Sequence, residues 1–216
     1  MDLKIERLNM DHEDKVVKLV TSTYTKSEVF RSGTTMNVSS DLFTELDTAR
    51  AKAKLKQGLS FGIFHEKNGL VAVTLNVIRL KSNNSSYQET SGVYKDTHWT
   101  NCTVRIVEQL RSIMETKLDP QKAFLLSMTS VHPDFRRIGL SKQLTHKCEE
   151  LAIEEDCDYI ISMVSSGYRL QGLLKLGYSI AGQIDLRTYY DDVAGTKPFS
   201  ACVAPDYYFT LCYKAL

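Results

Sequence analysis

Residues 123–144 read AFLLSMTSVHPDFRRIGLSKQL, and the order of properties within that stretch decides the fold. Ala123 to Val131 is a nearly continuous apolar run, which suits a strand covered on both faces rather than one wetted along its outer side. His132 to Gly139 is a short, charge-rich turn. From there apolar residues return at helical spacing (Leu140, Leu144, Cys148, Leu151, Ala152), so an amphipathic helix follows the strand directly. A buried strand passing through a tight turn into a helix is the unit from which mixed α/β domains are assembled.

The turn has a chemical meaning as well. The first amides of a helix lack intrahelical partners and point outward with the positive end of the helix dipole. Gly139 lets the backbone approach a ligand closely, Ser141 is small, and Arg136, Arg137 and Lys142 add positive charge. This combination suits a diphosphate. R-x-x-G-x-S by itself also fits a plain helix start; the buried strand before it and the long amphipathic helix after it favour the anion site. No G-x-G-x-x-G or G-x-x-x-x-G-K-[ST] pattern is present, so dinucleotide and nucleoside triphosphate binding lose their fingerprints.

Working outward, Leu3 to Leu8 alternates as a strand, and Asp11 opens a helix with Val16, Val17, Leu19 and Val20 on its apolar face. Turn formers fill residues 31–40, and a helix is predicted from Asp41 to Gln57 with the face Leu42, Phe43, Leu46, Ala49, Ala53, closed by Gly58. SFGIFH and LVAVTLNVIRL flank an Asn-Gly turn and predict an antiparallel hairpin. The polar stretch 81–97 is either a mobile loop or a plain surface insertion. A helix is expected from Thr103 to Thr116, a buried strand from Tyr159 to Val164, a short helix from Tyr168 to Leu176, and strands from Tyr178 to Arg187 and Tyr207 to Lys214. No repeat or linker interrupts the chain, and residues 1–216 read as one domain.

Composition narrows the function classes. The 216 residues carry 27 Lys and Arg against 26 Asp and Glu, a formal charge of +1, which argues against a polyanion binder working through its overall field. No nucleic acid partner is expected. No apolar run reaches the length of a membrane span and the first residues lack an apolar signal core, so the chain reads as soluble and cytoplasmic, without a membrane partner. Five cysteines without a C-x-x-C pair suggest reduced packing thiols, and the histidines lack metal-ligand spacing, so no metal is expected.

The run Ser127 to Leu144 resembles motif A of the GCN5-related N-acetyltransferases, [QR]-x-x-G-x-[GA]. More narrowly, the chain is similar to insect-type arylalkylamine N-acetyltransferases. That similarity takes in Lys26-Ser27-Glu28, Ser165-Ser166-x-Tyr168, Leu176-Gly177-Tyr178, Lys197-Pro198 and Ala204-Pro205. The resemblance implies an α/β (α+β) fold with a twisted mixed sheet of about seven strands, its fourth and fifth strands splayed around acetyl-CoA. It implies that Thr129, Ser130 and Val131 pair with the pantetheine arm, while Arg136, Arg137, Ile138, Gly139, Leu140, Ser141 and Lys142 hold the pyrophosphate. Its second partner would be a small amine, such as dopamine, serotonin, tyramine or octopamine. Polyamines, amino acids, protein amines and a non-catalytic acyl-CoA module are the alternatives.

Amine acetylation sets a proton problem. An alkylamine of pKa about 10 is only about one part in a thousand neutral near pH 7, a deficit of about 4 kcal/mol, so a base or water chain must take its proton. The departing thiolate, pKa about 8.5, gains less from a donor. By resemblance Glu28 is the general base and Ser165 the first of two catalytic serines. The second serine position is Arg169, and the place where many acetyltransferases carry a tyrosine is Leu173. Two alternatives stand for these positions: Ser165 or Ser166 orders a water and Arg169 contacts a CoA phosphate, or they simply cap the helix from Tyr168. Tyr24, Phe30, Tyr189, Tyr190, Tyr207 and Tyr208 either line an aromatic amine pocket or are ordinary core residues.

Overall fold

A computed structural model describes residues 2–27, 29–81 and 97–216. In chain order its elements are β1 (Leu3–Leu8), α1 (Glu13–Ser27), α2 (Val29–Ser32), α3 (Ser40–Leu55), β2 (Ser60–His65), β3 (Gly69–Leu80), α4 (His98–Lys117), β4 (Lys122–Val131), α5 (Leu140–Glu154), β5 (Tyr159–Val164), α6 (Gly167–Leu174), β6 (Ser179–Asp185) and β7 (Tyr208–Ala215). The strands form one seven-stranded sheet in the order β1-β2-β3-β4-β5-β7-β6. Every neighbouring pair is antiparallel except β4 and β5, which run parallel at the centre.

That central pair is incomplete. β4 and β5 share a ladder only from Ala123↔Tyr159 to Leu126↔Ser162, whereas β4 stays paired with β3 up to Val131↔Ala72 and β5 with β7 up to Val164↔Thr210. The sheet therefore forks beyond Leu126. Ser127 sits at the branch as an extra residue, because Leu75 faces Met128 while Asn76 faces Leu126. This bulge shifts the side-chain alternation by one, since an inserted residue reverses the faces of everything beyond it. Ala123 packs with α4 residues such as Ile106 and Leu110, and beyond the bulge Met128 packs with Val16, Leu19 and Val20 of α1.

The helices form a layer on each face. α1, α3 and α4 bury Leu19, Leu55, Trp99 and Ile106 against one side of the sheet, and α5 and α6 bury Leu144, Cys148, Leu151 and Leu173 against the other. The predicted stripe of α5 is the observed one: Leu140, Leu144, Cys148, Leu151 and Ala152 are all buried. The hairpin of β2 and β3 also forms as expected.

α1 begins at Glu13 rather than Asp11 and the short α2 is unexpected, but the departures from the sequence-based expectation with most structural consequence are in α4 and α3. α4 begins at His98, five positions before Thr103, because Thr97 is its N-cap: its hydroxyl accepts from the Thr100 amide, and Thr100 returns the bond in a capping box. α3 buries Asp47, Ala51, Lys54 and Leu55 beyond Leu46, while Ala49 and Ala53 are only half-buried. Its face turns because Asp47 is drawn inward by Arg31, whose Nη2 lies 2.5 Å from Asp47 Oδ2. A second internal ion pair fixes the segment between β6 and β7: Arg105 of α4 donates through Nε and Nη2 to Asp191 Oδ2, at 3.2 and 2.5 Å. Asp191 Oδ1 in turn accepts the amides of Val193 and Ala194, at 3.1 Å each. Among the described residues no helix is long and apolar enough to cross a membrane.

Candidate active site

The fork opens a cleft of about 930 Å³, lined by the end of β4, the turn into α5, the end of β5 and the start of α6. Thr129, Ser130, Val131, Arg136, Arg137, Gly139, Leu140, Ser141, Lys142 and Ser165 all lie on its wall. Ile138, the remaining residue expected at the pyrophosphate, is not on the wall and is 47% exposed. Leu140 turns its side chain into the core against Ile63 and Ala72, which leaves its backbone for the cleft.

The turn has the features that an anion site requires. Arg137 and Gly139 adopt positive φ, +65° and +88°, and Gly139 is the N-cap residue of α5 without any side-chain cap. Apart from its immediate sequence neighbours, a Cβ placed on Gly139 would meet no atom of the described residues within 4 Å. The first helical amide to find a carbonyl is that of Gln143, which bonds Gly139 O at 3.1 Å. The amides of Leu140, Ser141 and Lys142 precede it and so have no intrahelical partner. Among the described residues, Arg136, Arg137 and Lys142 form no ion pair with a carboxylate. Arg136 instead folds back, its Nε donating to Val131 O at 3.2 Å, so that one β4 carbonyl is already engaged.

At the crotch of the fork the Ser162 hydroxyl donates to Leu126 O at 3.1 Å. Ser130 Oγ, on the cleft wall, is buried without a hydrogen-bond partner among the described residues. Behind the bulge lies a polar network: Asn76 donates from Nδ2 to Leu59 O and Cys148 Sγ and accepts from Thr74 Oγ1 at Oδ1. An unpaired strand edge, an orphan hydroxyl and an uncapped, cation-ringed helix start fit a long ligand that joins a peptide-like arm to a diphosphate, as CoA does.

The thioester end is less regular. Ser166 is the N-cap of α6 and accepts the Arg169 amide at 3.5 Å, so of the roles considered for it, capping is the one observed. Leu173 is fully buried in the core beneath α6 and has no access to the cleft. Tyr168, 75% exposed, lines the cleft one turn earlier, as do Thr23 of α1 and Asp206 before β7. Asp206 Oδ1 accepts the Gly167 amide at 2.7 Å, and a Cβ on Gly167 would lie 2.7 Å from Pro205 O. Sequence reasoning passed over Thr23 and Asp206; only the Ala204-Pro205 pair beside Asp206 signalled that this loop returns to the site.

Glu28 and residues 82–96 lie outside the described residues, as does the Tyr24 side chain. Of the remaining candidates for an aromatic pocket, Phe30, Tyr189, Tyr190, Tyr207 and Tyr208 do not line the cleft, whereas Phe135 and Tyr168 do. Phe30 is a core residue, edge-on to Phe199 at 5.1 Å and to Phe209 at 4.9 Å. Tyr189 and Tyr207 pack partly against that core, while Tyr190 and Tyr208 are exposed. All five cysteines are free and buried. Burial pushes the Cys102 and Cys148 thiols up to about 12 and that of Cys212 to about 11. No group of three or more potential metal ligands exists among the described residues.

No family model and no curated protein sequence matches the chain. Solved structures do. Arylalkylamine N-acetyltransferase 2 from Aedes aegypti is similar with a TM-score of 0.84 at 18% identity, over 100% of this chain and 99% of that one. The Drosophila melanogaster polyamine N-acetyltransferase, which catalyses formation of N-acetylagmatine, gives 0.83 at 13% identity over 100% of both chains. A more distant likeness, 0.52 at 12% identity over 100% of this chain and 99% of that one, is to a NatC complex bound to a Gag peptide and CoA. The fold is that of the GCN5-related N-acetyltransferases, and the splayed β4 and β5 are part of it.

Proposed function

We propose that this chain is an acetyl-CoA-dependent N-acetyltransferase, a single catalytic domain across residues 1–216 that acetylates the primary amine of a small substrate in the cytoplasm. The observation that carries this is the fork itself, a strand with an unpaired edge followed by an uncapped helix start beside Arg136, Arg137 and Lys142, which no carboxylate among the described residues pairs. Main-chain groups of Thr129, Ser130 and Val131 bind the pantetheine arm, and the amides of Leu140, Ser141 and Lys142 with the nearby arginines bind the diphosphate. Acetyl-CoA supplies an activated thioester. The chain's own tasks are to orient it and to relieve the amine of its proton.

Glu28 is the proposed base, and Ser165 the proposed donor or water-ordering group near the sulfur. Arg169 stands in the second serine position and Leu173, at the tyrosine position, is buried, so this reading uses neither a two-serine relay nor a tyrosine donor. Direct transfer in a ternary complex is favoured over an acetyl-cysteine intermediate, because the buried, high-pKa thiols are poor nucleophiles. The acceptor is proposed to be an aromatic monoamine, in keeping with the motif set; the likeness to a polyamine acetyltransferase makes polyamines the second choice.

Acetyl-CoA turnover, followed as free thiol release across aromatic monoamines, polyamines and peptides, tests this. Turnover highest with monoamines is expected. Highest turnover with a polyamine or peptide would reassign the acceptor, and tight CoA binding without turnover on any amine would make the chain a non-catalytic acyl-CoA module.

A further inference from the structure

Arg169 lies in the first turn of α6, yet its side chain serves α5. Nη1 donates to Ser141 Oγ at 2.6 Å and Nη2 to Thr145 Oγ1 at 3.0 Å. A guanidinium has only donors, so both hydroxyls must present lone pairs to it. Thr145 commits its own hydrogen to Ser141 O, at 2.8 Å. The Ser141 hydroxyl hydrogen has no acceptor among the described residues, and Ser141 lies on the cleft wall beside Gly139. Its oxygen is held by Arg169, so its hydrogen is left to donate to whatever occupies the turn.

Charge points the same way. Among the described residues no carboxylate pairs with Arg169, and burial pushes its guanidinium below the ordinary value. The groups that sense its charge are Tyr178, Cys148 and Cys212. Burial raises the pKa of each, which keeps them neutral near pH 7. A partly desolvated cation without a counter-charge carries a cost, and an anion arriving next to it reduces that cost.

We propose that Arg169 is a positioning residue for the diphosphate, fixing the Ser141 hydroxyl as a donor toward the ligand and supplying the turn with a half-buried positive charge on the cleft wall. This rests on the acyl-CoA reading of the cleft. It also gives the second serine position a different task in this chain, at the phosphate end rather than the sulfur end.

The test compares acetyl-CoA with S-acetylpantetheine, which keeps the thioester and lacks the diphosphate, in wild type, Arg169→Met, Arg169→Lys, Ser141→Ala and the Arg169→Met/Ser141→Ala double variant. Arg169→Met is expected to lower kcat/KM for acetyl-CoA about tenfold or more, through KM, and to raise the CoA Kd in parallel. The loss with S-acetylpantetheine should be at least tenfold smaller. Arg169→Lys should recover part of the loss, and the double variant should fall short of the product of the single effects because the two residues act through one bond.

Equal losses with both donors, or an unchanged CoA Kd, would overturn the assignment in favour of a merely structural arginine. If Arg169→Met does not fold, Ser141→Ala carries the same donor contrast. A wild-type chain that fails to bind CoA overturns the acyl-CoA reading together with this one, whereas wild-type binding with an unaffected Arg169→Met overturns this one alone.

Discussion

The Ser162 hydroxyl reaches the carbonyl of Leu126 across 3.1 Å at the last pair of residues that β4 and β5 share. Both residues are buried. The bond closes the crotch of the fork, where a strand carbonyl would otherwise lose its sheet environment without gaining water. Ser162→Ala strands that carbonyl, and a loss of about 1–3 kcal/mol in urea denaturation is expected. An unchanged midpoint would mean that the hydroxyl does not hold the crotch.

At Gly139 two effects of a side chain are separable. The left-handed φ of +88° costs a non-glycine residue about 1–2 kcal/mol, yet the chain leaves open space where a Cβ would go. Asn tolerates this backbone region better than Val. Gly139→Asn should therefore melt close to wild type while binding CoA several-fold more weakly, and Gly139→Val should lose both stability and affinity. Unimpaired CoA binding by Gly139→Asn would remove the diphosphate from this turn.

Asp191 predicts an acid-dependent component of stability. Burial opposes its ionisation, but hydrogen bonds from Arg105, Cys102 and the Ala194 amide outweigh burial and hold the carboxyl at about 2. A folded pKa below the unfolded value of 3.8 stabilises the fold above about pH 4, and this contribution fades as pH falls through about 2. Asp191→Asn should cost about 2 kcal/mol near neutrality, and its stability should converge on that of wild type in acid. A constant difference at all pH values would contradict the linkage.

Glu28→Gln bears on the proposed proton transfer. With the base removed, the rate should drop chiefly below pH 8 and recover at higher pH as the free amine becomes abundant. A pH–rate profile indistinguishable from wild type would dismiss Glu28 as base.

What the sequence made legible follows from the range of the forces involved. The α5 stripe and the turn before it are local: hydrophobic period, glycine and charge lie within a few residues of one another, so the burial of Leu140 and Leu144 and the helix start at Gly139 could be read directly. The bulge at Ser127 could not, because AFLLSMTSV does not show which residue is extra; only the register against β3 does. The fork came from family resemblance rather than from periodicity. Arg169 had its partners Ser141 and Thr145 on a different helix, 28 and 24 positions away, and no spacing rule links them. Thr97 was absorbed into a polar run, although the Thr97–Thr100 box was there to be read.

The unpaired stretch of β4 has one further consequence. Exposed strand edges invite other chains to add themselves to a sheet, and proteins commonly guard them with charge, proline or a covering element. Beyond Leu126 this edge is interior to the sheet, with β5 and β7 on its far side and α5 and α6 over one face. A slender ligand can slide along it, but a foreign polypeptide cannot bring a second sheet alongside. Splitting the centre of the sheet thus opens main-chain groups to the cleft without creating a seed for aggregation.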